Sequence, residues 1–178
     1  VRFDRSRLPL KENIDKTARI AELAHAAEVS CEGEIGFVGY SDGEQSNGTK
    51  PSEAKKFAVE TKIDAMAISV GNVHLQKNKE GNLDLKTIRQ IEELTSTPLV
   101  IHGGSGVSLA QRSYLAKNSK ICKFNIGTEL RMVFGEALKE SLEKDPTQFD
   151  RVQILSKTND PMVEATRKVL NAFKAEKK

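Results

Sequence analysis

The chain has 178 residues, of which 38% are hydrophobic and 30% are charged, and its formal net charge is only +3. This composition is typical of a globular protein and excludes an intrinsically disordered chain. No apolar run approaches the ~20 residues that a membrane-spanning helix needs. The basic residues are scattered and aromatic residues make up 5%, which argues against a dedicated nucleic-acid surface.

Strand and helix signals alternate along the chain. Apolar residues recur at helical spacing in the helical segments, and short apolar runs bounded by polar residues predict strands. In chain order we predict a strand end at Val1–Asp4, a helix at Leu10–Ala27, a strand at Val29–Gly36, a loop at Phe37–Lys50, a helix at Pro51–Thr61, a strand at Ile63–Val70, a loop at Gly71–Asn82, a helix at Leu85–Leu94, a strand at Pro98–His102, a helix at Ser108–Lys117, a strand at Lys120–Ile126, a helix at Thr128–Leu142, and helical pieces at Asp145–Phe149 and Pro161–Phe173.

Five strands with single crossover helices predict an α/β fold with a parallel sheet. Two architectures fit five such units, an open doubly wound sheet or part of an eight-stranded (β/α)8 TIM barrel. The dinucleotide fingerprint GxGxxG is absent near the first strand. Polar residues instead follow every strand, which is typical of a barrel, whereas an open sheet concentrates its site at one switch point. These residues are Asp4, Ser6, Glu34, Asn72, His74, His102, Asn125 and Thr128.

Two histidines stand at the ends of consecutive predicted strands, His74 in SVGNVH and His102 in VIHGGSG. Imidazole is the commonest metal ligand in proteins, and a glycine-rich turn before a helix suits an anion. The pair predicts a metal held beside a phosphate. The alternative is that both histidines are satisfied by backbone groups and that the turn binds nothing.

The sequence contains two cysteines, Cys31 and Cys122, and each lies in a strand-like run. They indicate buried thiols rather than a disulfide framework. No signal peptide is visible, so we expect a reducing, cytoplasmic setting.

Four segments in order, SCEGEIGFVG, IDAMAISVGNVH, LVIHGGSGVS and CKFNIGTELR, resemble the class II (zinc-dependent) ketose-bisphosphate aldolases, which include the fructose- and tagatose-bisphosphate enzymes. VRFDRSRLPLKENI resembles the fourth strand and following helix of that family. The resemblance implies one partial TIM-barrel domain over residues 1–178, with strands four to eight present and the first three units missing. The family's catalytic aspartate and a further metal-binding histidine lie in that missing part. The resemblance therefore implies that this chain holds no catalytic residue and is inactive alone.

The resemblance also implies a reaction and a set of ligands. The reaction is cleavage of a ketose 1,6-bisphosphate to glycerone phosphate and glyceraldehyde 3-phosphate, with Zn²⁺ stabilising the enediolate. A monovalent cation near the phosphate is a further expectation. The implied metal-site residues are His74, His102, Glu34 and Asp4. The implied substrate- and phosphate-binding residues are Gly103, Gly104, Ser105, Asn125, Ile126, Gly127 and Thr128.

Several residues keep a second interpretation. Thr128 is also suited to be a helix N-cap, and Glu34 and Asp4 also suit solvated strand ends. Lys123 is a candidate Schiff-base lysine, although this does not explain the two histidines. We expect Glu129 and Arg131 to be surface or subunit contacts.

One residue departs from the family pattern. Leu75 follows His74 where the family usually has a glycine, whose backbone helps to hold phosphate. A Cβ at this position restricts φ and puts that contact in doubt. A ketose that is not bisphosphorylated therefore remains an alternative substrate.

Three other hypotheses remain from the sequence. The first is a non-catalytic barrel subunit that supports an aldolase, and the second is a truncated, inactive remnant. The third is that the chain is part of a longer protein. We expect a phosphorylated ketose as substrate and a homo-oligomer, either a dimer or a tetramer, without nucleic acid or membrane partners. The preference between fructose and tagatose, which differ at C4, is not determined by these residues.

Overall fold

The computed structural model describes residues 1–40, 43, 45–75 and 82–173. Parts of the two predicted loops, residues 41, 42 and 44 and residues 76–81, lie outside the described residues. The strands are β1 (Arg2–Phe3), β2 (Glu32–Ile35), β3 (Ala65–Ile68), β4 (Leu99–Ile101) and β5 (Ile121–Phe124). The helices are α1 (Leu10–Ala26), α2 (Pro51–Thr61), α3 (Leu85–Leu94), α4 (Leu109–Asn118), α5 (Thr128–Lys144), α6 (Arg151–Ser156) and α7 (Asn159–Ala172).

The five strands form one parallel sheet in the order β1-β2-β3-β4-β5. Each strand pairs with the next one in the chain, so the sheet has no switch point of the kind that defines a doubly wound fold. Neighbouring strands of a (β/α)8 barrel have this consecutive parallel order, with a helix after each strand. The predicted α/β fold and its barrel arrangement are confirmed.

The hydrophobic core lies between the sheet and its helices. Met66 and Ile68 of β3 and Leu99 and Ile101 of β4 are fully buried. They pack with apolar residues from the helices and loops, among them Ile14, Phe57, Ile88, Ile91 and Leu115. Because strand residues alternate between the two faces, the other face of the sheet is left to a different set of side chains.

Most of the predicted helices and strands are present in the structure, but the strand ends differ from the prediction. The observed strands are shorter than predicted by one to three residues at their ends. The predicted helical piece at Asp145–Phe149 is wrong, because Asp145 Oδ1 accepts hydrogen bonds from the Thr147 N–H (3.2 Å) and hydroxyl (2.8 Å) and holds a turn. The next helix, α6, starts only after Asp150, whose carboxylate caps it by accepting a hydrogen bond from the Val152 N–H at 2.9 Å.

The two cysteines differ in environment. Cys31 is buried as predicted, whereas the prediction for Cys122 is wrong. Cys122 is exposed on β5, which pairs on one side only among the described residues and shifts register against β4 at this point. Both thiols are free. Over the described part of the chain, no helix combines the length and apolar character that crossing a membrane requires.

Gly33 sets how closely the helices approach β2. A Cβ built on this glycine would lie 3.0 Å from side-chain carbons of Thr17, Phe57 and Ile63. The helix-facing position of the strand therefore has no room for a side chain. The close packing of α1 and α2 against β2 in turn fixes the direction of the two residues beside Gly33, which face the opposite side.

We expect Gly33→Val to destabilise the protein by roughly 1–3 kcal/mol, because the added methyl groups overpack the space beside α1 and α2. The matched control is Gly135→Ala in α5, where a Cβ meets nothing within 4 Å and should be neutral or stabilising by up to about 1 kcal/mol. Urea unfolding of both variants measures this. Equal stabilities for the two variants would contradict the packing argument.

Candidate active site

Charged side chains gather on the face of the sheet that the helices do not cover. Glu32 and Glu34 of β2 lie on this face, two residues apart. They contact Arg2 of β1, His102 at the end of β4 and Lys123 of β5. Four of the five strands thus contribute to one cluster, which we call the inner charge cluster.

His102 lies at the centre of the inner charge cluster and is fully buried. Its Nε2 is 3.0 Å from Glu32 Oε1, and its Nδ1 is 3.0 Å from Glu34 Oε2. Burial opposes a charge on the ring, but the hydrogen bonds to Glu32 and Glu34 outweigh it and raise the pKa of His102 above 6.5. The two carboxylates therefore favour the protonated ring and hold its orientation from both nitrogens.

Lys123 completes the pairing of Glu32. Its Nζ lies 2.6 Å from Glu32 Oε2. Burial of Glu32 opposes its charged form, but the hydrogen bonds from His102 and Lys123 prevail and lower the pKa of Glu32 to about 2. A Schiff-base lysine needs a neutral amine, so this ion pair does not favour the Schiff-base interpretation of Lys123.

Arg2 joins the cluster to Asp4. Its Nη2 lies 2.9 Å from Glu34 Oε2, 3.3 Å from His102 Nδ1 and 3.5 Å from Asp4 Oδ2. Asp4 itself is half-exposed at the rim, where its Oδ1 accepts from the Ser6 N–H and hydroxyl at 3.0 and 2.8 Å. Burial raises the pKa of Asp4, but these bonds from Ser6 and the Arg2 charge lower it overall. Asp4 thus belongs to the edge of the cluster.

His74 lies beside His102 but outside the ion pairs. The ring centroids of the two histidines are 6.0 Å apart, and the Tyr40 ring is 5.1 Å from His74. The backbone N–H of His74 donates to the backbone carbonyl of Gly39 at 2.8 Å. Burial and the charge of His102 lower the pKa of His74, so this ring is kept neutral and able to accept a cation.

Asn72 ties the two histidine-bearing loops together. Its buried amide group donates to Ile68 O (3.2 Å) and to His102 O (3.0 Å), and its Oδ1 accepts from Val70 N–H at 2.8 Å. The end of β3 and the end of β4 are therefore joined through one side chain. This bond fixes His102 relative to the loop that carries His74.

The glycine-rich turn after β4 is closely packed against both neighbouring loops. Gly103 has φ +64°, and a Cβ there would collide with the Val73 carbonyl. Gly104 N–H donates to Asn125 O at 3.1 Å, and Ser105 Oγ accepts from Glu129 N–H at 3.1 Å. Only glycine fits these contacts at the first position, since it tolerates positive φ and lacks a Cβ.

The segment after β5 presents free donors beside this turn. The backbone N–H groups of Ile126, Gly127 and Thr128 have no acceptor among the described residues. Thr128 begins α5, so these donors stand at the positive end of a 17-residue helix. The Thr128 side chain forms no N-cap bond; Gly127 occupies the N-cap position instead. The predicted phosphate-binding residues from Gly103 to Ser105 and from Asn125 to Thr128 are thus brought together.

Leu75 adopts the backbone conformation of a glycine. Its φ is +58°, in the left-handed region that costs an L-residue roughly 1–2 kcal/mol. The chain therefore keeps a glycine-type turn after His74 although the residue has a Cβ. The cost of a side chain in this conformation is local strain.

The donor chemistry around His102 fits zinc, although the ligands are not arranged for it. Two imidazoles and a carboxylate are ligands that zinc accepts. In the part of the chain that the structure describes, no three His, Cys, Asp or Glu side chains are placed so that they could hold a metal ion as they stand. Since a metal-binding histidine commonly donates its other N–H to a carboxylate, retaining one of the two glutamate bonds would leave one nitrogen of His102 for a cation.

Sequence reasoning placed Asn72 at a strand end without giving it a role, and it did not identify Arg2 or the pairing of Lys123. The available signal was strand alternation, which puts Arg2 and Lys123 on the same face as the glutamates. A buried carboxylate needs such a partner. Glu129, expected to be a surface contact, instead forms an ion pair with the buried Arg112.

We expect Asn72→Asp to cost about 3 kcal/mol, because it removes both amide donors and buries a carboxylate among carbonyl groups. The matched control is Asn118→Asp at the exposed end of α4, which should change stability by no more than about 1 kcal/mol. Both are measured by urea unfolding. Similar losses in the two variants would show that Asn72 is not a tie between the loops.

The inner charge cluster also predicts how the stability of the folded protein depends on pH. The lowered pKa of Glu32 contributes stability above pH 4.5 that is lost as the pH falls towards 2. The raised pKa of His102 contributes stability below pH 6.5 that is lost as the pH rises through its folded value. In metal-free protein, the stability difference between wild type and His102→Gln should therefore be larger at about pH 5.5 than at about pH 9, measured by urea unfolding. A difference that grows with pH would contradict this assignment.

Comparison with known proteins identifies the relatives of this chain. The profile of the family described as fructose-bisphosphate aldolase class-II matches residues 1–178. Among solved structures, the chain is similar to the YdjI aldolase from Escherichia coli K12, with a TM-score of 0.71 and 24% identity. It is also similar to a fructose-bisphosphate aldolase from Campylobacter jejuni, with a TM-score of 0.74 and 21% identity.

Each similarity covers 97% of this chain but 58% of the neighbour's chain. The chain thus spans less than two thirds of the length of those aldolases. At these identities the structures support the barrel-type fold, and the family profile supports the relationship over every residue. The chain belongs to the class II fructose-bisphosphate aldolase family.

Proposed function

We propose that the protein containing this chain is a metal-dependent aldolase, a carbon–carbon lyase that acts on a phosphorylated ketose. The observation that carries the proposal is the placing of His74 and His102, with rings 6.0 Å apart, directly beside a glycine-rich turn. The family relationship supports the same reaction class. In the finer form of the proposal, the substrate is fructose or tagatose 1,6-bisphosphate, and the products are glycerone phosphate and glyceraldehyde 3-phosphate.

His74, His102 and Glu34 are the proposed zinc ligands, with Asp4 as a further acidic group at the rim. A bound zinc ion supplies Lewis-acid polarisation of the ketose carbonyl. Glu32 holds one nitrogen of His102 and thereby orients the ring. Lys123, whose Nζ is 2.6 Å from Glu32 Oε2, favours the charged form of Glu32.

One phosphate of the substrate is proposed to bind between the two loops that follow β4 and β5. Gly103, Gly104 and Ser105 supply the close backbone approach, and Ile126, Gly127 and Thr128 supply unpaired N–H donors at the start of α5. Asn125 is proposed to contact substrate hydroxyl groups. The left-handed backbone of Leu75 is the conformation that a glycine would adopt at this position without strain.

Three finer assignments rest on the resemblance and on composition. We propose a cytoplasmic location, which agrees with two free thiols, and a homo-oligomeric assembly. A monovalent cation near the phosphate is part of the same proposal.

The test uses the complete gene product, purified with zinc and assayed for cleavage of fructose and tagatose 1,6-bisphosphates. We expect zinc-dependent cleavage that a chelator abolishes and added zinc restores. His74→Ala and His102→Ala should each lower kcat/KM by about 100-fold or more and reduce bound zinc, since even outer partners of metal ligands are worth 10–100-fold. His25→Ala, on the exposed face of α1, is the matched control and should retain activity and zinc.

Two results would overturn the proposal. Cleavage that persists with chelator and in both histidine variants, together with borohydride trapping at Lys123, would indicate a Schiff-base enzyme. A protein that neither binds zinc nor cleaves either substrate would indicate a non-catalytic subunit.

A further inference from the structure

A fully buried arginine lies directly behind the glycine-rich turn. Arg112 of α4 has no exposed side-chain surface, and it is the largest fully buried side chain among the described residues. A helix position that faces a core usually carries an apolar residue, because burying a charge is costly unless it is paired and hydrogen-bonded. The guanidinium must therefore be compensated by specific contacts.

Two of the three guanidinium nitrogens of Arg112 form hydrogen bonds, and the third makes an ion-pair contact without hydrogen-bond geometry. Nε donates to Val107 O at 2.8 Å, and Nη2 donates to Ser105 O at 3.0 Å. Nη1 lies 2.9 Å from Glu129 Oε2. Two of these contacts go to the backbone of the turn itself, and the third goes to a different helix.

Glu129 makes a second connection of its own. It stands in the first turn of α5, and its backbone N–H donates to Ser105 Oγ at 3.1 Å. Its side chain is only 17% exposed. The turn after β4 and the start of α5 are thus joined twice, once through Ser105 and once through the Arg112–Glu129 ion pair.

These contacts fix peptide planes and not merely side chains. A peptide group is planar, so holding the Ser105 carbonyl also holds the following N–H of Gly106, which donates to Gly103 O at 3.1 Å and closes the turn. Charged donors form the stronger class of hydrogen bond. The arrangement therefore sets the orientation of the backbone on one side of the proposed phosphate site and its distance from the donors of Gly127 and Thr128 on the other.

We propose that Arg112 and Glu129 form a brace that positions the two halves of the phosphate site, so that Arg112 is a positioning residue for phosphorylated substrate. The inference rests on the proposed function for its substrate, and on the contacts above for its geometry. Arg112 acts from behind the turn, where it contacts two backbone carbonyls and the Glu129 carboxylate. Its loss should impair phosphate binding more than the step at the carbon–carbon bond.

The experiment compares Arg112→Met, Arg112→Lys and Glu129→Gln in the complete gene product. Binding of inorganic phosphate is measured by isothermal titration calorimetry, and kcat and KM are measured separately with fructose 1,6-bisphosphate. Arg167→Met is the matched control, since Arg167 forms an exposed ion pair with Glu164 at 2.6 Å. Thermal unfolding and zinc content are recorded for each variant.

We expect Arg112→Met and Glu129→Gln to weaken phosphate binding and raise KM by about tenfold or more, with a smaller change in kcat and unchanged zinc content. Arg112→Lys, which keeps the charge but not the planar fork, should recover part of the loss. Arg167→Met should bind phosphate within about twofold of wild type.

Folded Arg112→Met and Glu129→Gln variants that bind phosphate as wild type does would overturn the brace. If Arg112→Met does not fold, Glu129→Gln decides the question, because it keeps the side-chain shape and the backbone bond to Ser105. Wild-type protein that binds phosphate but cleaves no aldol would refute the aldolase proposal and leave the brace to be decided by the phosphate titrations. Wild-type protein that binds no phosphate would overturn the brace.

Discussion

The imidazole of His102, held between the carboxylates of Glu32 and Glu34, is the interaction on which the inner face of the sheet depends. Each of these groups is buried, and a buried charge without a partner is destabilising by several kcal/mol. Arg2 pairs with Glu34 and Lys123 pairs with Glu32, which extends the pairing to the outer strands. The cluster therefore links β1, β2, β4 and β5 by charge as well as by backbone hydrogen bonds.

This pairing constrains the strand register. A slip of one residue would turn Glu32 and Glu34 into the helix-packed core and bring Gly33 to the inner face. Both changes are unfavourable, since the core beside Gly33 has no space for a side chain. The register of β2 is thus specified on both faces. Gly33 specifies it by its small volume on one face, and Glu32 and Glu34 specify it by their charge on the other.

The sequence predicted the order and type of nearly all elements, because hydrophobic periodicity and short apolar runs are local signals. It also located His74, His102 and the glycine-rich turn, since each follows a buried strand. Arg2 and Arg112 were missed because their roles depend on partners distant in sequence; Arg2 pairs with Glu34, 32 residues away. No local pattern distinguishes such a cation from one on the surface. The strained backbone of Leu75 could be raised as a question from its position but not answered without φ.

The proposed metal and phosphate sites are parts of one rigid edge. His102 is followed directly by Gly103, whose missing Cβ lets the backbone close against Val73, one residue before His74. The carbonyl of His102 is held by Asn72, and Gly104 is bonded to Asn125. Contacts to backbone groups, one of them from the Asn72 side chain, therefore run from the loop after β3, through the turn after β4, to the start of α5. Because these contacts join the two proposed sites, the fold sets the distance between the histidine rings and the glycine-rich turn.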